Sequence, residues 1–161
     1  MAILLLLNTS AQNHTTMDIK IYETGFSRDI YGFSGIAVNK DYTGTAFKLM
    51  DKMWKTIRQL GIKNKGINIW VYEENEKVFT GVETYEAPPP ASGLEHKNIT
   101  LVKYAAFMHR GPYNLIKKAG QDMNDDLKRK GFETVLPYIE MYGHHTNDPS
   151  AAETELLMCL K

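Results

Sequence analysis

The same order of apolar patterns occurs twice in the sequence, and this duplication restricts the possible folds more than any other feature. Residues 86–97 contain three consecutive prolines, which neither a helix nor a central strand accommodates, so they form a loop or linker. Before this stretch, a strand pattern at 31–38 precedes a helical pattern that ends at Gly61. Two alternating segments follow, and the turn residues 74–76 between them predict a β-hairpin.

The second half repeats this order. A strand pattern at 98–108 leads to Pro112, whose missing N–H is tolerated in the first turn of a helix, and strand patterns return at 136–143 and 153–161. We therefore predict an α+β fold built from a tandem β-α-β-β repeat, with an antiparallel sheet and two helices packed on one face. The predicted boundaries are 17–86 for repeat 1, 87–96 for the linker and 97–161 for repeat 2.

Residues 1–16 precede the first repeat and are predicted to be a disordered leader. Their apolar run from Ala2 to Leu7 has no basic flank, and it is too short for a signal peptide or a membrane span. Residues 17–161 are expected to form a single domain, and no association with membranes is expected.

The charge balance and the cysteine content restrict the class of protein. Basic and acidic residues number 19 each, so the chain lacks the basic excess of a nucleic-acid binder, and no direct nucleic-acid partner is expected. The single cysteine, Cys159, excludes an internal disulfide and is typical of a reducing compartment, which predicts a cytoplasmic protein. Two adjacent histidines, His144 and His145, have no partner cysteines, so neither a metal nor a cofactor is expected.

Alternate residues of several predicted strands combine aromatic rings with carboxylates. Side chains of a strand point alternately to the two faces of the sheet, and the apolar sides are expected beneath the helices. A solvated sheet face is one interpretation of the opposite sides, and a ligand-binding face is the other. The residues concerned are Trp70, Tyr72, Glu83, Tyr85, Tyr138, Glu140, Tyr142 and Glu155.

Three segments of the second half resemble the GyrI-like small-molecule-binding domain, which is also the effector-binding domain of AraC-type and multidrug-responsive regulators. They are YAAFMHRGPY at Tyr104–Tyr113, LPYIEMY at Leu136–Tyr142 with Asp148-Pro149 after it, and the closing ETELLMCLK. The first half is similar in layout more than in motif. The resemblance implies a ligand pocket on the concave face of the sheet, where the two repeats meet. It also implies that an acidic residue of the last strand meets cationic ligands, and Glu155 matches that position.

These observations lead to three alternative functions. The preferred one is a standalone protein that captures lipophilic, cationic aromatic compounds, because ring faces attract positive charge and a carboxylate neutralises it. The second is a hydrolase of strained electrophilic toxins, in which Glu155, with Glu83 or Glu140 and a tyrosine such as Tyr138, activates water. The third is an inhibitor of a partner protein such as DNA gyrase. A monomer is favoured over an oligomer, and a regulator protein acting in trans is left open as a partner.

Overall fold

The structure, a computed structural model, describes residues 17–161. The predicted leader at 1–16 lies outside the described residues. Eight strands and two α-helices are present in the described part: β1 (Lys20–Tyr22), β2 (Phe26–Ile36), α1 (Tyr42–Leu60), β3 (Ile69–Tyr72), β4 (Lys77–Val82), β5 (Glu95–Leu101), β6 (Tyr104–Arg110), α2 (Ile116–Arg129), β7 (Thr134–Tyr142) and β8 (Glu153–Leu160).

All eight strands form one antiparallel sheet, which confirms the predicted α+β fold. Their order is β1-β6-β8-β7-β3-β4-β2-β5. The order is symmetric about the central β3–β7 pair. Strands β4, β2 and β5 on one side of it mirror β8, β6 and β1 on the other. The short leading strands are exchanged between the halves, since β1 pairs with β6 and β5 pairs with β2. The two repeats are therefore joined both at the centre and at the edges of the sheet.

The predicted single strand at 98–108 is instead two strands. β5 ends at Leu101 and β6 begins at Tyr104, with Val102 and Lys103 between them. β5 forms one edge of the sheet, whereas β6 lies near the other edge. Only two residues join the strands, and neither is glycine, proline, asparagine or aspartate, so the sequence carries no turn signal there. β5 also begins at Glu95, inside the predicted linker.

Local signals for the helices and the hairpin are confirmed. The Asp41 carboxylate caps α1 by accepting a hydrogen bond from the Gly44 N–H at 3.0 Å, and Gly61 ends α1 with a positive φ of 61°. Asn75 and Glu76, at the tip of the β3–β4 hairpin, also have positive φ angles. No helix in residues 17–161 is both long enough and apolar enough to cross a bilayer.

In β3 and β7 the helices cover the side that was predicted to be free of them, whereas in β8 they cover the side of Leu156 and Met158, as predicted. α1 packs on Phe33 and Val82, and α2 packs on Leu156 and Met158, which belong to the same face as Trp70. The apolar sides of β3 and β7, which were predicted to lie beneath the helices, belong instead to a separate apolar cluster on the other face. This cluster contains Ile69, Val71 and Ile139, together with Ile30, Phe79 and Leu157.

Strands from the two ends of the sheet bury this second face without a helix. The rings of Phe26 in β2 and Tyr104 in β6 lie 5.8 Å apart, although these strands are not neighbours in the sheet. Ile99 and Leu101 of β5 belong to the same cluster as Ala106 of β6. Apolar periodicity alone could not distinguish burial under a helix from burial against distant strands of the same sheet.

Candidate functional site

Two cavities lie between the helices, above the centre of the sheet. The Trp70 cavity has a volume of about 540 Å³, and its walls include Phe47 and Trp54 of α1 and Tyr113 beside α2. The Tyr138 cavity has a volume of about 500 Å³ and contains Tyr42, Tyr72 and Tyr138. The two cavities share three lining residues, namely Thr43, Lys117 and Glu140. They therefore adjoin, with Glu140 common to both. Each volume lies within the range of pockets that enclose drug-sized ligands.

Glu140 is the buried acid of the site, with 6% of its surface exposed. It lies in β7 opposite Trp70 of β3, in the central strand pair. Its Oε2 atom accepts hydrogen bonds from the Tyr142 hydroxyl at 2.6 Å and from the Tyr72 hydroxyl at 3.0 Å. Among residues 17–161, no group donates a hydrogen bond to Oε1. One carboxylate oxygen thus retains lone pairs for a ligand.

Burial dominates the ionisation of this group. It raises the pKa of the Glu140 carboxyl above its ordinary value, although the hydroxyls of Tyr142, Tyr72 and Tyr138 act in the opposite direction. Burial, reinforced by the charge of Glu140, also raises the pKa values of Tyr72, Tyr138 and Tyr142 far above the ordinary tyrosine value. These phenols therefore remain protonated, and those of Tyr72 and Tyr142 donate to Glu140.

Aromatic rings line both sides of Glu140. In the Trp70 cavity, Trp70 contacts Phe47 edge-on with centroids 5.1 Å apart, and it contacts Tyr142 at 4.7 Å. In the Tyr138 cavity, the rings of Tyr72 and Tyr138 are stacked at 5.5 Å. Such pairs fix the ring orientations and present their electron-rich faces and edges to the cavities.

Two buried donors near the acid have no protein partner within the described residues. These are the indole N–H of Trp70, which is only 3% exposed, and the hydroxyl of Tyr138. The Tyr138 hydroxyl lies beside α2 at Gly120, where an added Cβ would come within 3.0 Å of it. Buried donors are nearly always paired, because an unpaired one has lost its hydrogen bonds to water. A ligand that offers an acceptor to either donor would therefore gain binding free energy.

The rim of the Trp70 cavity is basic, in contrast to its base. Lys117, in the first turn of α2, and His145 are exposed and line this cavity. Glu140 is the only carboxylate among the described residues that line it. No carboxylate of residues 17–161 lies within 4.0 Å of the Lys117 ammonium group, whereas the neighbouring Lys118 pairs with Asp122.

The structure brings five of the eight predicted site residues together: Trp70, Tyr72, Tyr138, Glu140 and Tyr142. The other three lie elsewhere. Glu155 lies opposite Met108 of β6 and Met141 of β7 in the strand register. Since Met141 points away from the side of its neighbour Glu140, Glu155 projects from the opposite face of the sheet. Glu83 follows β4 and forms a salt bridge with Lys65 at 3.1 Å.

Tyr85 lies beyond the end of β4 with 68% of its surface exposed. The register of β3 and β4 explains why Tyr85 and Glu83 lie outside the site. Trp70 pairs with Thr80 and Ile69 pairs with Gly81, so the alternation that contains Gly81, Glu83 and Tyr85 belongs to the face of Ile69. Parity within a single strand could not reveal that relation.

The sequence interpretation assigned the α1 contribution to the core instead of to a site. An apolar helical stripe is typical of a helix face that packs on the core, but Phe47, Met50 and Trp54 of this stripe line the Trp70 cavity. The Trp54 indole N–H donates to the side-chain oxygen of Asn68 at 2.7 Å, which fixes that ring at the cavity wall.

Neither a protein-family model nor a curated protein matches this sequence. Solved structures do match the fold. The structure of SAV2435 bound to tetraphenylphosphonium matches with a TM-score of 0.61 at 17% identity, covering 90% of this chain and 94% of that one. The EcmrR C-terminal domain matches with a TM-score of 0.69 at 13% identity, covering 90% and 99%. A hydrolase from Listeria innocua matches with a TM-score of 0.54 at 8% identity, covering 89% and 91%. The chain thus has the fold of the GyrI-like effector-binding domains.

Proposed function

We propose that this protein binds lipophilic aromatic cations in the two cavities that adjoin Glu140. The observation that carries the proposal is a buried carboxylate with one unengaged oxygen at the boundary of two cavities lined by aromatic rings. A cation there would gain from the carboxylate and from the ring faces together, in a site largely shielded from water.

A buried carboxylate among aromatic rings suits a cation better than a neutral or anionic compound. An isolated buried carboxylate is costly because it loses hydration, and Tyr142 and Tyr72 compensate only one of its oxygens. A cationic ligand would compensate the other. The fold similarity to SAV2435, whose structure holds tetraphenylphosphonium, supports this class of compound.

The raised pKa of Glu140 predicts the pH dependence of binding. In the free protein burial favours the protonated acid, whereas a bound cation stabilises the carboxylate and lowers its pKa. Binding therefore releases protons. The affinity for a cation should rise with pH between the pKa of the complex and that of the free protein, and remain constant above the latter.

Calorimetric titration with tetraphenylphosphonium is the test, with wild type, Glu140→Gln and Glu155→Gln. We expect Glu140→Gln to weaken binding by roughly 1–3 kcal/mol, the scale of an interaction with a charged group in a partly desolvated site. Glu155→Gln is the matched control, because it makes the same chemical change on the opposite face of the sheet. Loss of binding in Glu155→Gln with none in Glu140→Gln would refute the assignment and support the acid predicted from the sequence.

Hydrolysis is the second candidate, and the unpaired Tyr138 hydroxyl is the observation that favours it. A carboxylate of raised pKa is a suitable general base for water, and the Tyr138 hydroxyl, which remains protonated, could stabilise developing negative charge by a hydrogen bond. The fold similarity to a Listeria innocua hydrolase is compatible with this candidate. Chromatography of an electrophilic aromatic ligand after incubation separates the two functions, because capture leaves the ligand intact and hydrolysis adds water to it.

A further inference from the structure

We propose that Lys117 selects the charge distribution of the ligand, so that the Trp70 cavity prefers aromatic zwitterions, with the cationic group near Glu140 and an anionic group at the rim. This inference rests on the proposed function, because it assumes that the cation lies at Glu140. It adds a second recognition group and a more specific class of ligand.

The charges of the Trp70 cavity are separated by depth. Its carboxylate, on Glu140, is 6% exposed and belongs to the central strand pair. Its lysine, Lys117, is exposed on α2 and lines the same cavity. Within residues 17–161 neither charge is neutralised by the other, because no carboxylate lies within 4.0 Å of the Lys117 ammonium group. A ligand with charges of opposite sign at its two ends would complement both.

The surroundings of Lys117 favour an anion. Lys117 is the second residue of α2, where the partial positive charge of the helix N-terminus adds to that of the ammonium group. His145 also lines this rim, and an N–H of its ring can donate a hydrogen bond to an anion.

The rim of the Tyr138 cavity is less suitable for an anion, although Lys117 also lines this cavity. Asp41, Glu73 and Lys40 border that cavity. Asp41 caps α1, and Glu73 forms a salt bridge with Lys97 at 2.7 Å. Because carboxylates border the Tyr138 cavity, the anionic group is expected at the rim of the Trp70 cavity instead. A purely cationic ligand would meet Lys117 as a repulsive charge on its way to Glu140.

A matched pair of dyes tests the inference. Rhodamine B is a zwitterion with a free carboxylate, and its ethyl ester has the same cationic ring system without that negative charge. Fluorescence anisotropy gives the dissociation constant of each dye for wild type, Lys117→Met and Lys118→Met. Lys118→Met is the control, because it removes the same charge from the next residue, which is already paired with Asp122.

We expect Lys117→Met to raise the ratio of the zwitterion's dissociation constant to the ester's by about three- to fivefold, the upper range for an exposed charge pair. In Lys118→Met the ratio should stay at the wild-type value. Glu140→Gln should weaken the binding of both dyes, since both carry the cationic ring system.

An unchanged ratio in Lys117→Met, with both dyes still weakened by Glu140→Gln, would overturn this inference and leave the proposed function intact. Equal changes of the ratio in Lys117→Met and Lys118→Met would also overturn it, because they would indicate a general effect of net charge. If wild type bound neither dye, the proposed function and the inference would both be refuted.

Discussion

Three tyrosines of the sheet face surround the same buried acid and lower its pKa, but only Tyr142 and Tyr72 lie within hydrogen-bonding distance of it. Tyr142 donates to Glu140 at 2.6 Å and Tyr72 donates at 3.0 Å, whereas the Tyr138 hydroxyl is buried without a partner in the described residues. Substitution by phenylalanine removes one oxygen in each case and retains the ring. We therefore predict that Tyr142→Phe will destabilise the protein and that Tyr138→Phe will not.

The expected magnitudes follow from these hydrogen bonds. Tyr142→Phe removes a donor to a buried carboxylate and should lower the free energy of unfolding by about 1.5–3 kcal/mol. Tyr138→Phe removes a polar group that was desolvated without compensation, so stability should change by less than about 0.5 kcal/mol or rise by about 1 kcal/mol. Both rings pack against a neighbour, Tyr142 on Trp70 and Tyr138 on Tyr72, and phenylalanine retains these contacts.

The effect of Tyr142→Phe should also depend on pH. Because burial raises the pKa of Glu140 in the folded state, ionisation of this acid reduces stability as pH rises from its unfolded to its folded pKa. The Tyr142 hydroxyl opposes that loss, since it stabilises the ionised form. Removing the hydroxyl should therefore cost more at high pH than at low pH, where Glu140 is protonated in both proteins.

Urea unfolding followed by far-UV circular dichroism, at several pH values from about 5 to about 9, measures these free energies. Wild type, Tyr142→Phe and Tyr138→Phe are compared in the same buffers. Equal destabilisation by the two substitutions would refute the hydrogen-bond assignment. A cost of Tyr142→Phe that does not change with pH would refute the role given to the charge of Glu140.

Two further predictions concern the tryptophans and the N-terminal residues. Trp54 and Trp70 both line the Trp70 cavity, and the variants Trp54→Phe and Trp70→Phe each retain one of these two indoles. Tetraphenylphosphonium should therefore quench the fluorescence of both variants. Quenching confined to one variant would place the ligand outside this cavity. Deletion of residues 1–16 should leave the melting temperature and the cooperativity of unfolding unchanged, because both repeats lie in 17–161, and a loss of cooperative unfolding would contradict the predicted domain boundary.

Local patterns in the sequence determined the secondary structure well. The α1 helix ends at Gly61 because glycine adopts a positive φ without steric cost, and the hairpin turns at Asn75 for a related reason. These signals involve interactions between residues close in the chain. The same locality explains the error at 98–108, where one apolar run contains two strands whose partners are distant in sequence.

The tertiary structure decided which side chains form the site. Alternation within a strand showed correctly that Trp70 and Tyr72 share a face, and that Tyr138 and Glu140 share one. It could not show that Glu155 belongs to the other face, since that depends on the register of β8 against β7. Register is fixed by backbone hydrogen bonds between strands far apart in the chain.

The sequence identified the side of β8 that lies beneath the helices but not the sides of β3 and β7. Both faces of the sheet carry buried apolar residues, because one packs on the helices and the other on strands from the two ends of the sheet. Burial has the same compositional signature in either case, since the hydrophobic effect is non-directional. Only the global arrangement placed Glu140 beneath the helices, and there burial converts an ordinary strand glutamate into an acid of raised pKa.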